Sequence, residues 1–371
     1  MNDTDNGRMD RLLEYLDHDP LNADLLIDAV EAAIATGEFD RAESLNDRLR
    51  QVLPGAFQGT YLAGMIAMKR GDFSAASDLF EPLVAEHGHS NVRFNLAWSQ
   101  AMLGRKREAL ALLDTATIEA IPAAAMLRVQ LIHEQGEFDE AMKLARRMLE
   151  IHPDDAGLNA AAATLALDVE DGEMARACAA KAGDNPEALS VTALLELRDG
   201  DTPAARRAFD QAIALREHNP RAWIGRGMTA LLERDPATAA RDIDHGAQQF
   251  GDHLGSWIAA GWAHCLAGNI EAARQRFEHA LALDRNFAES HGSLAALDVM
   301  AGDKDSARRG VATALRLDPQ CFSAALAQAL LSNDDSLRAG EIVQVALNTP
   351  LSEQGRTIAS YVAGLTLPTV H

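Results

Sequence analysis

The sequence predicts an all-α protein, a solenoid in which antiparallel helix pairs follow one another along the chain. Three observations predict this class. A short pattern recurs about every 34 residues, and aromatic residues make up only 5% of the 371 residues while alanine is abundant. Four prolines also fall at the ends of recurring units, at positions 20, 54, 153 and 319. Abundant alanine suits closely packed helices, whereas sheets are richer in β-branched and aromatic residues.

The recurring pattern is a turn residue followed five positions later by alanine. The turn residues are Gly37, Gly71, Gly104, Gly136, Gly200, Gly268 and Gly302, with Glu170, Arg234 and Asp334 in the degenerate copies. Successive alanines lie 30 to 34 residues apart, from Ala42 to Ala339. Glycine ends a first helix because a left-handed residue without Cβ costs little there. Alanine near the start of the second helix then lets the two backbones approach.

A second small position lies seven residues before each turn. It holds Gly64, Ala97, Ala163, Ala193, Gly227, Gly261, Ala295 and Ala327, with Val30 and Val129 as exceptions. In these features the sequence resembles the tetratricopeptide repeat (TPR) family, whose unit is a pair of antiparallel helices. The resemblance implies a right-handed superhelical solenoid. We expect an N-terminal tail and capping helix over 1–22 (the helix over about 8–18), ten helix pairs over 23–349, and a C-terminal capping helix and tail over 350–371.

Charge and cysteine content restrict the partners and the compartment. The chain has 55 acidic and 34 basic residues, a net charge of −21, which repels phosphate backbones and anionic bilayers. We therefore expect no nucleic acid and no membrane as partners, and favour basic or amphipathic proteins. Three scattered cysteines, no secretory signal and no long apolar run predict a cytoplasmic protein.

The resemblance also implies which side chains face the concave groove of the superhelix. The first groove cluster consists of Tyr61, Met65, Met68, Phe94, Trp98, Met102 and Met126. The second groove cluster consists of Ile224, Met228, Leu231, Leu232, Ile258, Trp262 and Leu266. We predict partner binding by the whole first cluster and by Met228, Leu232, Ile258 and Trp262, because exposed apolar patches of this kind mark interaction sites. The alternative is that these side chains pack inside the superhelix or under a terminal helix folded back into the groove.

The groove positions lack the Lys and Asn pair by which some TPR proteins grip carboxylate tails, leaving Lys69 and Asn95 isolated. No phosphate loop, nucleophile elbow, metal-binding helix motif or dinucleotide fingerprint is present, so we expect no enzyme, no metal and no cofactor. His87 and His89 are expected to be solvated loop residues.

These features predict a scaffold, adaptor or holding chaperone that binds a peptide or helical segment of a partner in its groove. The alternative is a structural or regulatory subunit of an enzyme or secretion complex, bound through its convex face or edges. Homo-oligomerisation through the C-terminal end, where Leu365, Leu367 and Val370 form an apolar tail, is a further alternative.

Overall fold

The computed structural model describes residues 3–332, and the chain divides into two compact units, 1–153 and 154–371. Over the described residues every regular element is an α-helix, 21 in all, which confirms the all-α class. The helices of the first unit are α1 (Asp3–His18), α2 (Ala23–Thr36), α3 (Phe39–Val52), α4 (Phe57–Arg70), α5 (Phe73–His87), α6 (Ser90–Met102), α7 (Lys106–Leu112), α8 (Thr115–Ala120), α9 (Pro122–Glu134) and α10 (Phe138–Ile151).

The second unit continues the same alternation of first and second helices. Its described helices are α11 (Ala156–Asp168), α12 (Gly172–Ala182), α13 (Pro186–Asp199), α14 (Thr202–Leu215), α15 (Pro220–Leu232), α16 (Pro236–Phe250), α17 (Leu254–Leu266), α18 (Ile270–Leu283), α19 (Ala288–Met300), α20 (Lys304–Leu317) and α21 (Phe322–Ser332). The second helix predicted for the tenth repeat, the C-terminal capping helix and the apolar tail lie outside the described residues.

The nine predicted turn residues up to position 302 adopt the left-handed conformation between the first and second helices of their repeats. Gly71 has φ 83°, and the N–H of the next residue, Asp72, donates to the Ala67 carbonyl at 2.9 Å. Two non-glycine residues, Glu170 and Arg234, adopt the same geometry at φ 64° and 63°. These two degenerate copies therefore keep the turn although they have lost the glycine.

An aspartate after the turn starts many of the second helices. Asp72, Asp201 and Asp303 each accept a hydrogen bond from the backbone N–H three residues on, at 2.9 to 3.0 Å. Such a cap satisfies one of the N–H groups that the first turn of a helix leaves free. The turn and the cap together fix where each second helix begins.

The third repeat departs from the predicted helix pair, because its second helix is replaced by two short ones, α7 and α8. The break lies at Leu113 and Asp114. The Asp114 carboxylate accepts from the Thr117 N–H at 2.8 Å and so starts a new helix. Leu113 is fully buried, and its carbonyl accepts a hydrogen bond from Arg128 of α9.

In two helix pairs, a glycine of the first helix lies against a phenylalanine of the second. Phe80, Phe209 and Phe277 on second helices are fully buried. A Cβ built on Gly64 would lie 2.6 Å from the Phe80 ring, and one on Gly261 would lie 2.2 Å from the Phe277 ring. The small position seven before the turn therefore sets how closely the helices approach.

Candidate functional site

The first groove cluster lies on three first helices of the first unit. Tyr61, Met65 and Met68 come from α4, Phe94, Trp98 and Met102 from α6, and Met126 from α9. Each keeps part of its surface open to solvent, and Met102 is 50% exposed. The cluster is thus a set of apolar side chains that are only partly sealed by this unit.

A cavity of about 650 Å³ lies beside this cluster, between α2 and α4. Ile34, Phe39 and Leu62 give it apolar walls, and Tyr61 and Met65 contribute the cluster's side of it. Ligand sites in proteins are typically concave, mostly apolar spaces of this size range with a few polar groups. The cavity can therefore receive one or more apolar side chains of a ligand.

Tyr61 is held in place from two sides. Its ring stacks on Phe57 with centroids 5.6 Å apart and meets the fully buried Phe80 ring at 5.9 Å. The buried Asn95 of α6 donates to the Tyr61 hydroxyl at 3.2 Å and lies 3.1 Å from the Met65 sulfur. Asn95 therefore joins α6 to the two α4 side chains that line the cavity.

Phe94 and Trp98 form a second aromatic surface one helix further along the chain. Their rings meet edge to face with centroids 6.1 Å apart, and both are partly exposed. Aromatic side chains of this kind bury large areas on binding and are frequent hot spots of interfaces.

His87 and His89 lie at the turn between α5 and α6, and both are exposed to solvent as expected. Their rings lie 5.9 Å apart, and each also meets the Phe57 ring edge to face, at 5.2 and 5.7 Å. They therefore contact the ring that stacks on Tyr61 while remaining in contact with water.

The second groove cluster is largely core, and this corrects the predicted site. Met228, Ile258 and Trp262, predicted to bind a partner, are only 7%, 9% and 9% exposed and belong to one hydrophobic cluster of the second unit. Ile224 is buried as well, whereas Leu232 is 59% exposed.

Close contacts between helices accompany the burial of these positions. A Cβ on Gly227 would lie 2.6 Å from Ile243 of α16, and Gly261 lies against Phe277 of α18. The first and second helices of these repeats therefore approach closely, and the Trp262 ring packs 5.4 Å from the Phe277 ring. Register on a helix cannot by itself distinguish such a sealed position from an open one.

The three cysteines in the described part of the chain are buried and unpaired. Burial raises the pKa of the Cys265 thiol to about 12, so this buried, unpaired group stays protonated and unreactive at neutral pH. Between residues 3 and 332 no cluster of three or more histidine, cysteine or carboxylate side chains is arranged to hold a metal ion. None of the helices in this range is long and apolar enough to cross a bilayer.

Sequence reasoning missed the α2 side of the cavity and the role of Asn95. Glu31 and Ile34 occupy, in the first repeat, the same register positions as Met65 and Met68 in the second. Extending the groove register to the first repeat would have found them. The hydrogen bond from Asn95 carries no sequence signal, because it depends on the spacing between α4 and α6.

Sequence comparison matches two models described as tetratricopeptide repeat. The first matches residues 61–124, 103–156 and 191–251, and the second matches residues 264–333. Together they cover more than half of the chain. Among curated proteins, none matches the sequence.

Solved structures of similar fold include a monomeric mutant of IFIT1 with m7Gppp-AAAA. It has a TM-score of 0.56 and 10% identity, covering 82% of this chain and 80% of that one. PilF of Pseudomonas aeruginosa has a TM-score of 0.46 and 19% identity, covering 56% and 96%. The Cut9–Hcn1 hetero-tetramer of APC/C has a TM-score of 0.46 and 15% identity, covering 96% and 92%. At these identities the likeness shows the fold alone.

Proposed function

The chain belongs to the tetratricopeptide repeat family, and from this premise we propose that it is a non-catalytic scaffold that binds a peptide or helical segment of a partner protein on the first groove cluster. Proteins of this family are generally protein–protein interaction scaffolds. The proposal includes an adaptor or holding-chaperone role in the cytoplasm, the compartment that the sequence favours.

The observation that carries the proposal is the cavity beside partly exposed aromatic and methionine side chains. Tyr61 and Met65 line this cavity, while Phe94 and Trp98 lie partly exposed on α6. Methionine adapts to ligands of different shapes, and aromatic side chains provide large contact areas at low entropic cost. An amphipathic segment fits such a surface because its apolar face covers side chains that water now contacts.

The charge of the chain supports a protein partner over nucleic acid. A net charge of −21 opposes the approach of a phosphate backbone and accelerates the approach of basic or amphipathic polypeptides.

A second candidate, a subunit bound through its edges, is favoured by a row of exposed leucines in the second unit. Leu215, Leu283 and Leu317 lie at the ends of second helices, each 37 to 53% exposed. The last two are 34 residues apart and the first two 68, so the row follows the repeat. An assembly partner could cover it without touching the first groove cluster.

Selection of peptides from a displayed random library tests the proposal. We expect the selected peptides to lose at least tenfold in affinity to Trp98→Ala and to Phe94→Ala combined with Met65→Ala, since truncating an interface hot spot typically costs about 2 kcal/mol or more. Circular dichroism should show unchanged helicity for both variants. The matched control is Leu283→Ala, which truncates an exposed apolar side chain elsewhere.

Three outcomes are distinguishable. Loss of binding only in the groove variants supports the proposal. Loss of binding only in Leu283→Ala supports the second candidate. Unfolding of the Trp98→Ala variant would place that side chain in the core and remove the reason for a binding site there.

A further inference from the structure

Two side chains of opposite charge line the cavity between α2 and α4. Glu31 of α2 and Lys69 of α4 both line it, and both are exposed. Neither forms an ion pair with any residue in the described range. The neighbouring Arg70, in contrast, is engaged with two carboxylates, those of Asp40 and Glu43.

The walls between these charges are apolar. Ile34, Phe39 and Met65 line the same cavity. Glu31 and Lys69 do not neutralise each other, so the cavity carries a negative charge on its α2 side and a positive charge on its α4 side.

Resting on the function proposed above, we propose that the bound segment is amphipathic and bipolar. A basic residue of the segment lies over Glu31, an acidic residue lies over Lys69, and apolar side chains between them enter the cavity. The two charges then set the direction in which the segment crosses α2 and α4. Exposed charges contribute little to affinity. They do disfavour the segment bound in the reverse direction, because its acidic residue would then lie over Glu31 and its basic residue over Lys69.

Helix geometry gives the spacing that such a segment needs. Packed helices lie about 8–10 Å apart, and a helical ligand rises about 1.5 Å per residue. A helical segment spans this distance between α2 and α4 when its basic and acidic residues lie about seven positions apart. Its apolar residues then lie three and four positions after the first charged residue. The partner class is therefore an amphipathic helix with opposite charges at the two ends of its apolar face.

Two synthetic peptides test the direction of binding. Both are blocked at the ends, 14 residues long and identical in composition, with two central leucines. One carries lysine on the N-terminal side and glutamate on the C-terminal side, and the other carries the reverse. A benzophenone at the N-terminus reports where that end lies through its cross-links, which are mapped by mass spectrometry.

We expect the peptide with N-terminal lysine to cross-link to residues 23–36 and the peptide with N-terminal glutamate to residues 57–70. The variant Glu31→Lys with Lys69→Glu keeps the net charge at −21 and should exchange the two patterns. The control variant Asp47→Lys with Arg107→Glu reverses exposed charges away from the cavity and should leave both patterns unchanged.

Two results overturn the inference in different ways. If both peptides cross-link to the same helix, or the swapped variant changes nothing, the charges do not set direction, and the proposed function stands. The proposed function fails as well if neither peptide cross-links to α2 or α4 and the peptides selected from the random library bind the variant with Phe94→Ala and Met65→Ala as tightly as the parent protein.

Discussion

Gly64→Ala should destabilise the first unit, although alanine is the better helix former. Gly64 lies inside α4, where replacing glycine by alanine gains about 1 kcal/mol in helix propensity. The new Cβ, however, would lie 2.6, 2.7 and 3.0 Å from three carbons of the Phe80 ring. Carbon atoms in ordinary contact are about 3.5–4.0 Å apart, so the ring must move by about 1 Å.

The Phe80 ring has no free space to take up this movement, because it is fully buried. Overpacking of a close-packed core costs about 1–3 kcal/mol, and the contact distances place this site near the upper end. After subtraction of the propensity gain, we expect a net loss of about 1–2 kcal/mol. Since Phe80 also contacts Tyr61 at 5.9 Å between ring centroids, weaker peptide binding should accompany the loss.

Urea denaturation followed by circular dichroism measures this change. Gly7→Ala is the matched control, because no atom lies within 4 Å of a Cβ at Gly7, and it should be neutral or slightly stabilising. The double variant Gly64→Ala with Phe80→Leu should lose less than the sum of the two single changes, since leucine leaves room for the new methyl group. A Gly64→Ala variant as stable as the parent protein would refute the packing argument.

Three further predictions concern polar groups that are buried or half-buried. Asn95→Ala should cost about 1 kcal/mol of stability and weaken peptide binding, because the Tyr61 hydroxyl loses its donor at 3.2 Å. Asp242→Ala should cost about 2 kcal/mol, since the buried carboxylate accepts two hydrogen bonds from Arg226, at 2.7 and 3.0 Å, while Arg226 keeps its bond of 3.0 Å to Asp210. Burial lowers the pKa of His253 below 6.5. As the pH drops through 6.5, the unfolded chain therefore binds more protons than the folded protein, and the free energy of unfolding should fall. The variant His253→Asn should make the free energy of unfolding less dependent on pH, while asparagine keeps the helix cap.

Each of these has a clear contrary result. Unchanged peptide affinity in Asn95→Ala would mean that its bond to Tyr61 does not organise the site. A loss in Asp242→Ala no larger than that of the exposed Asp305→Ala, whose partner is Arg308, would mean that burial adds nothing to the pair. Parallel stability curves for the parent protein and His253→Asn between pH 7 and 5 would exclude a contribution from this histidine.

The repeat pattern predicted the fold because it reports local chemistry. A left-handed turn, a small residue at the crossing and a helix cap are each set by one or two neighbouring residues. For this reason even the degenerate turns at Glu170 and Arg234 could be located from spacing alone. The break at Asp114 was not predicted, because an aspartate followed by threonine starts a helix only where the preceding chain has room to turn.

The candidate site could be predicted only in part, because register does not measure the distance between helices. Trp98 and Trp262 occupy equivalent positions of their repeats, yet only the second is packed into a core cluster. Trp262 packs 5.4 Å from the fully buried ring of Phe277, whereas the aromatic partner of Trp98 is the partly exposed Phe94. The contact of Trp262 joins residues 15 positions apart and appears only in three dimensions.

Hydrogen exchange with and without a bound peptide selected from the random library tests the central claim most directly. A partner held on the first groove cluster and in the cavity beside it should slow exchange in the segments 23–36, 57–70, 90–102 and 122–134, with little change in the second helices of the same repeats. Protection confined to residues 202–317 would contradict the account, because the partner would then lie on the second unit and the cavity beside Tyr61 would have no part in holding it.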